Sequence, residues 1–278
     1  MRRLVEALNA CWLPHFPGRP EITLADFKRD IRERQVWCSS CMIAFDGSEP
    51  IGVLIGAKRP HATLVDIIAV RPDRTRQGHG RHMLESLGAK LEILGPPLLT
   101  AEIPESLTEA NAFFEACGYA PSGRLTDWRL DETPPTSNDR PPAAAGDRFI
   151  VPQGVADLAA NGLLVDREGL AWDHAVATLQ GRADRLAGLG MVTVDRIEAF
   201  VLYLRHAEGE GASIAALGPA TAIEGHDPAL LLAEVLRITG PPLLLPRVAE
   251  IQFPEGALRS WGFRPTGATE RLTATRNG

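Results

Sequence analysis

An apolar segment runs into a basic turn with two glycines at Ile68-Ala69-Val70-Arg71-Pro72-Asp73-Arg74-Thr75-Arg76-Gln77-Gly78-His79-Gly80-Arg81. β-Branched residues dominate the sequence before the turn. Apolar residues recur at helical spacing after it: Met83, Leu84, Leu87 and Leu91. Glycines let a backbone approach an anion closely, and the first N–H groups of a helix have no partner within the helix. The stretch therefore predicts a strand, a phosphate-binding turn and a helix, in that order.

Two blocks of the sequence resemble those of the GNAT acyltransferases. The first block, VRPDRTRQGHGRHML at 70–84, resembles the acetyl-CoA signature of the family, in which a valine and a proline precede R/Q-x-x-G-x-G/A. The second block, ANAFFEACGY at 110–119, resembles the later family segment A-x-x-F-Y-E-K-x-G-F. The resemblance implies an α/β fold with the mixed sheet of the GNAT family, acetyl-CoA as co-substrate, and no metal.

The same resemblance assigns binding residues in the first half of the chain. Backbone amides that would hold the pyrophosphate belong to Arg76, Gln77, Gly78, His79, Gly80 and Arg81. The residues expected beside the pantetheine arm are Ile68, Ala69 and Val70. Phe114 is also expected at the co-substrate site. It stands where the family usually has a tyrosine that acts as the acid, and it cannot donate a proton.

Asp66 is the candidate catalytic residue. It lies among β-branched apolar residues in TLVDIIAV at 63–70, where burying a carboxylate is costly unless it is paired. Family members often place a carboxylate four residues before the valine that ends this strand, so by resemblance Asp66 would be the base, acting through water. A structural ion pair with an arginine is the alternative interpretation.

Composition limits the function classes. The 278 residues are 45% hydrophobic, with a formal net charge of -6 and an isoelectric point near 5.7, which argues against a nucleic-acid surface. The N-terminal sequence has no continuous apolar core of a signal peptide, and no apolar run approaches the ~18 residues of a membrane span. We therefore expect a cytoplasmic protein without nucleic-acid or membrane partners. The family resemblance implies a small-molecule or peptide amine as acceptor.

Two cysteines have the C-x-x-C spacing, Cys38 and Cys41. This spacing admits a metal or redox site, but no second C-x-x-C exists to complete a zinc site. The motif also begins a predicted strand, where residues three apart point to opposite faces. Free thiols are the simpler interpretation.

The sequence contains a tandem repeat. The segment GPPLL at 95–99 recurs at 240–244, and Gly118-Tyr119 recurs as Gly262-Phe263. Matched turns in one order indicate duplication of one fold. We predict a catalytic acyl-CoA-binding domain at 1–131, a Pro-rich linker at 132–147 and a degenerate GNAT-like domain at 148–278.

The second copy lacks the chemistry of the first. Its turn reads GPATAIEGHDP at 218–228, in which Glu224 and Asp227 are negative and Pro228 has no N–H to donate. Alignment of the repeats places Ser213 at the position of Asp66. We therefore expect acyl-CoA binding in the first half alone.

The expected order of elements in the first half matches the GNAT arrangement. Helices are predicted near 3–11, 24–34, 80–93 and 107–117, with Thr23 and Asp26 capping the second. Strands are predicted near 38–45, 50–58, 62–70, 98–103 and 124–130. Two functions fit: an acetyl-CoA-dependent N-acyltransferase, or a non-catalytic protein that binds and senses acyl-CoA. The acceptor, the acyl chain length and the oligomeric state stay open.

Overall fold

The computed structural model describes residues 1–134, 148–206, 210–218 and 228–275. The chain divides into two compact units. Unit 1 consists of Met1–Gly123 and the segment that begins at Glu270, and unit 2 consists of Arg124–Thr269. Most of the predicted linker, at 135–147, lies outside the described residues. The mixed α/β fold expected from the sequence is confirmed.

The elements are numbered in chain order. The helices are α1 (Arg2–Ala7), α2 (Leu24–Arg34), α3 (His79–Leu94), α4 (Thr108–Ala116), α5 (Val155–Ala160), α6 (Val176–Gly181), α7 (Ala229–Thr239) and α8 (Glu255–Ser260). The strands are β1 (Met42–Asp46), β2 (Glu49–Lys58), β3 (Thr63–Val70), β4 (Leu98–Pro104), β5 (Ala120–Leu130), β6 (Phe149–Pro152), β7 (Ala187–Val192), β8 (Ile197–Arg205), β9 (Ala212–Gly218), β10 (Leu243–Ala249) and β11 (Arg264–Thr275).

The sheet of unit 1 has the order β1-β2-β3-β4-β11. Strands β1, β2 and β3 pair antiparallel, and the residues of β2 from Ile51 to Ala57 are all buried, as the apolar run IGVLIGA predicts. Strands β3 and β4 are parallel, and their register joins Thr63 to Leu99 and Leu64 to Thr100. Beyond these two pairs, the strands line a cavity.

Helix α3 packs its apolar face on the sheet of unit 1. The cluster combines helix residues with residues of β2, β3 and β4, and its buried members include Leu54, Val65, Met83, Leu84, Leu87, Leu91, Leu99, Ala101 and Ile103. The last strand contributes Leu272 and Ala274. The C-terminal segment of the chain is therefore part of the core of unit 1.

Helix α2 begins with the cap expected from the sequence. The Thr23 hydroxyl accepts a hydrogen bond from the Asp26 backbone N–H at 3.1 Å, and the Asp26 carboxylate accepts one from the Thr23 N–H at 3.2 Å. This reciprocal capping box satisfies two N–H groups that the helix leaves without partners. The helix spans Leu24–Arg34, in agreement with the prediction.

Unit 2 repeats local features of unit 1. Its sheet has the order β5-β10-β9-β8-β7-β6, and its parallel pair β9–β10 also has a two-pair register, Ala212 with Leu243 and Ser213 with Leu244. Gly118 and Gly262 both have φ near +87°, a left-handed conformation that favours glycine. Each ends its helix with the same hydrogen-bond pattern. The duplication read from the sequence is present in the structure.

Two elements differ from the sequence predictions. The strand predicted from residue 38 begins at Met42, because Cys38–Ser40 form a 3₁₀ turn that places Ser40 against Gly56 of β2. Because Cys38 lies in this turn and not in a strand, the opposite-face argument for Cys38 and Cys41 does not apply. The first helix changes after Ala7 into a π-helical turn at Leu8–Trp12.

Candidate active site

A cavity of about 840 Å³ lies in unit 1 where β3 and β4 separate. Its walls are formed by Val65–Val70 of β3, Glu102–Pro104 of β4, and the first residues of α3 and α4. A parallel pair that diverges after two registered positions leaves a gap into which a narrow ligand arm can enter. The fold thus opens the sheet beside the glycine-bearing turn.

The turn after β3 presents backbone donors to this cavity. Arg76 and Gly78 have φ values of +62° and +85°, so the chain alternates into the left-handed region just before α3. The His82 N–H donates to the Gly78 carbonyl at 3.0 Å, which is the first hydrogen bond of the helix. The N–H groups of the preceding residues therefore have no intrahelical acceptor, an arrangement that, together with the helix dipole, favours an anion.

Gly80 is required by packing as well as by the backbone approach. A Cβ atom at this position would lie 3.1 Å from Cζ of Phe113 and 3.2 Å from its Cε2. Any other residue therefore displaces the aromatic ring that lines the cavity beside the turn.

Two arginines of the turn form ion pairs that stabilise the turn itself. Arg71 forms ion pairs with Asp73 at 2.6 Å and with Glu49 at 3.0 Å, and its hydrogen bond lowers the pKa of Asp73. Arg74 pairs with Asp46 at 2.9 Å. Arg74 is therefore already engaged, which leaves Arg76 as the better source of positive charge for a phosphate.

Asp66 occupies a β-bulge. On β2, Ile55 pairs with Ile67 and Gly56 pairs with Val65, so Asp66 is the extra residue of β3. Bulges re-aim side chains and are frequent beside active sites. Asp66 lines the cavity, and its Oδ1 lies 2.6 Å from Nη2 of Arg34. The structure thus contains the arginine partner that sequence analysis offered as the alternative to a base.

The corresponding bulge of unit 2 carries no carboxylate. Leu202 of β8 pairs with Ala216, and Tyr203 pairs with Ile214, which makes Ala215 the extra residue of β9. Ala215, and not Ser213, is therefore the structural counterpart of Asp66. The turn that follows β9, with Glu224 and Asp227, lies outside the described residues.

Sequence analysis missed a second carboxylate of the cavity, Glu102 on β4. Its side chain is only 4% exposed, and its Oε1 lies 3.3 Å from Nη2 of Arg271 on β11. A signal was present, because Glu102 stands among apolar residues in LLTAEI at 98–103 just as Asp66 does in its strand. The sequence did not identify Arg271 as its partner, because the two residues are 169 positions apart.

The aromatic residues of α4 form a packed cluster. Phe114 is buried and lines the cavity, with its ring centroid 4.9 Å from that of Tyr119 and 5.4 Å from that of Phe113. Tyr119 and Cys117 belong to the hydrophobic core and are not among the described residues that line the cavity. Neither is placed to replace the missing tyrosine hydroxyl as an acid.

Nearly all of the predicted binding residues lie together. Ten residues assigned to the site from the sequence line this cavity: Asp66, Ile68, Ala69, Val70, Arg76, Gly78, His79, Gly80, Arg81 and Phe114. Gln77 is not among the lining residues. On the wall beside Val70, His15 Nε2 lies 2.8 Å from the Val70 carbonyl oxygen, next to the paired rings of Trp12 and Phe16. The roles of these residues remain predictions.

Comparison with known proteins matches one segment of the chain to a family. Residues 37–121 match the family model of the acetyltransferase (GNAT) domain. This segment is therefore a GNAT domain. The matched segment contains the glycine-bearing turn, both splayed strands and α4, so the resemblance seen in two sequence blocks is confirmed.

Solved structures show a tandem arrangement of this fold. A tandem GNAT protein from the clavulanic acid biosynthesis pathway, solved without AcCoA, superposes with a TM-score of 0.69 at 19% identity, covering 100% of this chain and 96% of that one. A GCN5-related N-acetyltransferase from Sphaerobacter thermophilus gives 0.62 at 16% identity, covering 99% and 93%. At these identities the likeness concerns the fold. A search of curated protein sequences finds no significant match.

Within the described part of the chain, no helix combines the length and apolar character that crossing a membrane requires. The same residues contain no group of three or more His, Cys, Asp or Glu side chains placed to hold a metal ion.

Proposed function

We propose that this GNAT protein is an N-acyltransferase that transfers an acetyl group from acetyl-CoA to an amine in the cavity of unit 1. The supporting observation is a single cavity that joins an anion-binding turn to a carboxylate-bearing gap between two parallel strands. A phosphate-bearing donor and an amine acceptor need these two features at opposite ends of one site. Acetyl-CoA is a metabolite of the cell interior, so we propose a cytoplasmic location.

The residues of the turn fit the pyrophosphate of CoA. The N–H groups of Gly78, His79, Gly80 and Arg81 open α3, and Arg76 adds positive charge at the same wall. The backbone of Ile68–Val70, which lines the cavity, would run beside the pantetheine arm. The Val70 carbonyl oxygen already contacts the His15 side chain, so a pantetheine arm would meet this carbonyl together with the imidazole ring.

Acyl transfer to an amine forms a C–N bond and breaks the C–S bond of the thioester. The amine must be neutral to attack, and we propose that Asp66 accepts its proton through water. Positioned acid–base groups typically contribute ~10²–10⁴ in rate. The leaving thiol has a pKa near the ~8.5 of cysteine, so it can depart as the thiolate although Phe114 cannot protonate it.

The domain limits proposed from the repeat are 1–131, with the catalytic site, and 148–278, with the degenerate copy. We propose that the second copy serves as a scaffold rather than a second site. Its bulge carries Ala215 in place of a carboxylate.

An acyl-CoA sensor is the second candidate, favoured by one observation, the phenylalanine at the acid position. Calorimetry with acetyl-CoA, followed by a thiol-release assay with a panel of primary amines, separates the two functions. The transferase proposal expects binding and amine-dependent thiol release. Binding without release across a broad panel would favour the sensor, and absence of binding would contradict both.

A further inference from the structure

We propose that Glu102, positioned by Arg271 of the last strand, binds the ammonium group of the acceptor, which is therefore a cationic primary amine. This inference rests on the proposed acyl transfer and names the substrate class of the same site. It also makes a residue of the C-terminal strand part of the catalytic unit.

The alternation of β4 directs Glu102 away from α3. Its neighbours Ala101 and Ile103 belong to the core cluster beneath that helix. Successive residues of a strand point to opposite faces, so Glu102 points to the other side, where it reaches the cavity. Asp66 faces the same cavity from β3. An amine that enters between the strands thus meets one carboxylate from each.

Arg271 reaches Glu102 by the same alternation. Leu272 and Ala274 of β11 pack into the core cluster, which directs the alternate positions, Arg271 and Thr273, to the opposite face. Arg271 is 13% exposed and donates from Nη2 to the Glu102 Oε1 at 3.3 Å across a sequence separation of 169 residues. This pairing holds the carboxylate in the wall of the cavity.

Stability alone does not account for a charged pair at this place. Replacement of a buried ion pair by apolar side chains of similar volume is often neutral or stabilising, whereas removal of one partner is costly. Glu102 stands in a strand whose neighbours are apolar, on the wall of the cavity that the proposed reaction uses. A retained negative charge there suits recognition of a cation, since charge-assisted hydrogen bonds are the strong ones.

The charges that line the cavity are separated by sign. Basic residues gather near the glycine-bearing turn, and they are Arg74, Arg76 and Arg81. Acidic residues lie on the strands and at α4, and they are Asp66, Glu102 and Glu109. A polyanionic donor and a cationic acceptor are thereby drawn to different ends. The two carboxylates therefore have different roles. Glu102 binds the ammonium group, and Asp66 receives the proton that the amine releases before attack.

The test compares Glu102→Gln with the wild type in a thiol-release assay. The probes are acetyl-CoA with spermidine, tyramine and a short peptide that has a free N-terminus. We expect Glu102→Gln to raise the KM for the amine about tenfold or more, with kcat and the KM for acetyl-CoA within threefold. Arg271→Met should raise the amine KM in the same way, and Arg271→Lys should restore most of the loss.

The matched control is Arg264→Met, on the same strand. Arg264 pairs with Asp131 at 2.8 Å in unit 2, so the change removes an arginine–carboxylate pair that does not line the cavity. Its amine KM should stay at the wild-type value. If Arg271→Met fails to fold, as judged by circular dichroism, Glu102→Gln and Arg271→Lys decide the matter.

The inference and the proposed function fail in different ways. An unchanged amine KM in Glu102→Gln, with or without a lowered kcat, would contradict the inference and leave the proposed transfer standing. Acetyl-CoA binding without turnover of any of the three amines would favour the acyl-CoA sensor and contradict both. Absence of acetyl-CoA binding by the wild-type protein would instead contradict the proposed function itself.

Discussion

Arg34 Nη2 lies 2.6 Å from Asp66 Oδ1, and the two side chains are only 18% and 13% exposed. This ion pair fixes the orientation of the bulged carboxylate at the cavity wall. This orientation suits the base proposed for acyl transfer, and the pair is at the same time a structural link between α2 and β3.

Asp66→Asn separates these two roles. If Asp66 receives the proton of the acceptor, kcat at neutral pH should fall by about 10²-fold or more, with little change in acetyl-CoA affinity. Arg34→Met is the companion variant, because it leaves the carboxylate and removes its partner. A lowered unfolding temperature with normal activity of the folded fraction in Asp66→Asn would show that the ion pair is structural only.

Asp30 on α2 should destabilise the folded protein at neutral pH. Burial, followed by the negative charge of Asp66, raises the pKa of Asp30 above its ordinary value of 3.8. A carboxyl with a raised folded-state pKa loses stability as the pH rises above its unfolded-state pKa. Asp30→Asn should therefore raise the unfolding temperature at pH 7, and the gain should disappear as the pH falls toward 4.

Asp26 on the same helix provides the opposite case. Hydrogen bonds from Thr23, aided by Arg29, lower the pKa of Asp26. Its contribution to stability is thus present above the unfolded-state pKa and is lost as the pH falls. Asp26→Asn should lower the unfolding temperature at pH 7. Thermal unfolding of both variants from pH 4 to pH 7 should give differences of opposite sign, and shifts of one sign for both would refute this account of α2.

Gly80→Asp should weaken acetyl-CoA binding at least tenfold. The added side chain meets the Phe113 ring, where even a Cβ lies 3.1 Å from Cζ, and it places a negative charge beside the phosphate site. Gly80→Ala should have a smaller effect, part of which Phe113→Leu relieves. Gly256→Asp is the control, because a Cβ there has no neighbour within 4 Å. Calorimetric affinities that do not differ between Gly80→Asp and the control would refute the assignment of the turn.

The two cysteines of the C-x-x-C motif should differ in reactivity. Burial raises the pKa of Cys41 to about 11, whereas Cys38 of the same turn is exposed. At pH 7.5 only about one Cys41 side chain in three thousand is then a thiolate, the form that reacts. Iodoacetamide should modify Cys38 first, and the rate at Cys41 should rise about tenfold per pH unit up to pH 10. Peptide mass spectrometry measures both rates. Equal rates at pH 7.5 would contradict the predicted difference between Cys38 and Cys41.

Local patterns in the sequence predicted much of unit 1. The cap at Thr23 and Asp26, the helix after Gly78 and the buried strand IGVLIGA follow from interactions between residues close in sequence. The family resemblance named residues that mostly line one cavity, because one turn and one strand supply much of its wall. These features depend little on the rest of the chain.

Features that depend on distant residues were not predictable in the same way. The 3₁₀ turn at Cys38–Ser40 is set by the contact of Ser40 with Gly56, which no local pattern encodes. Arg34 and Arg271 reach their carboxylates from other elements, so only the need for a partner could be inferred for Asp66. The register of each strand pair matches Ala215, and not Ser213, to the bulge position of Asp66, and an alignment made from anchor turns contains no information on register.

The most direct test of the account is the stoichiometry of acetyl-CoA binding, measured by calorimetry and native mass spectrometry. The account predicts one acetyl-CoA per chain, bound at the turn of unit 1. Gly80→Asp should weaken that binding, and Gly225→Asp, at the matching turn of the second copy, should leave it unchanged. Two molecules per chain, or binding that is lost in Gly225→Asp and kept in Gly80→Asp, would contradict it.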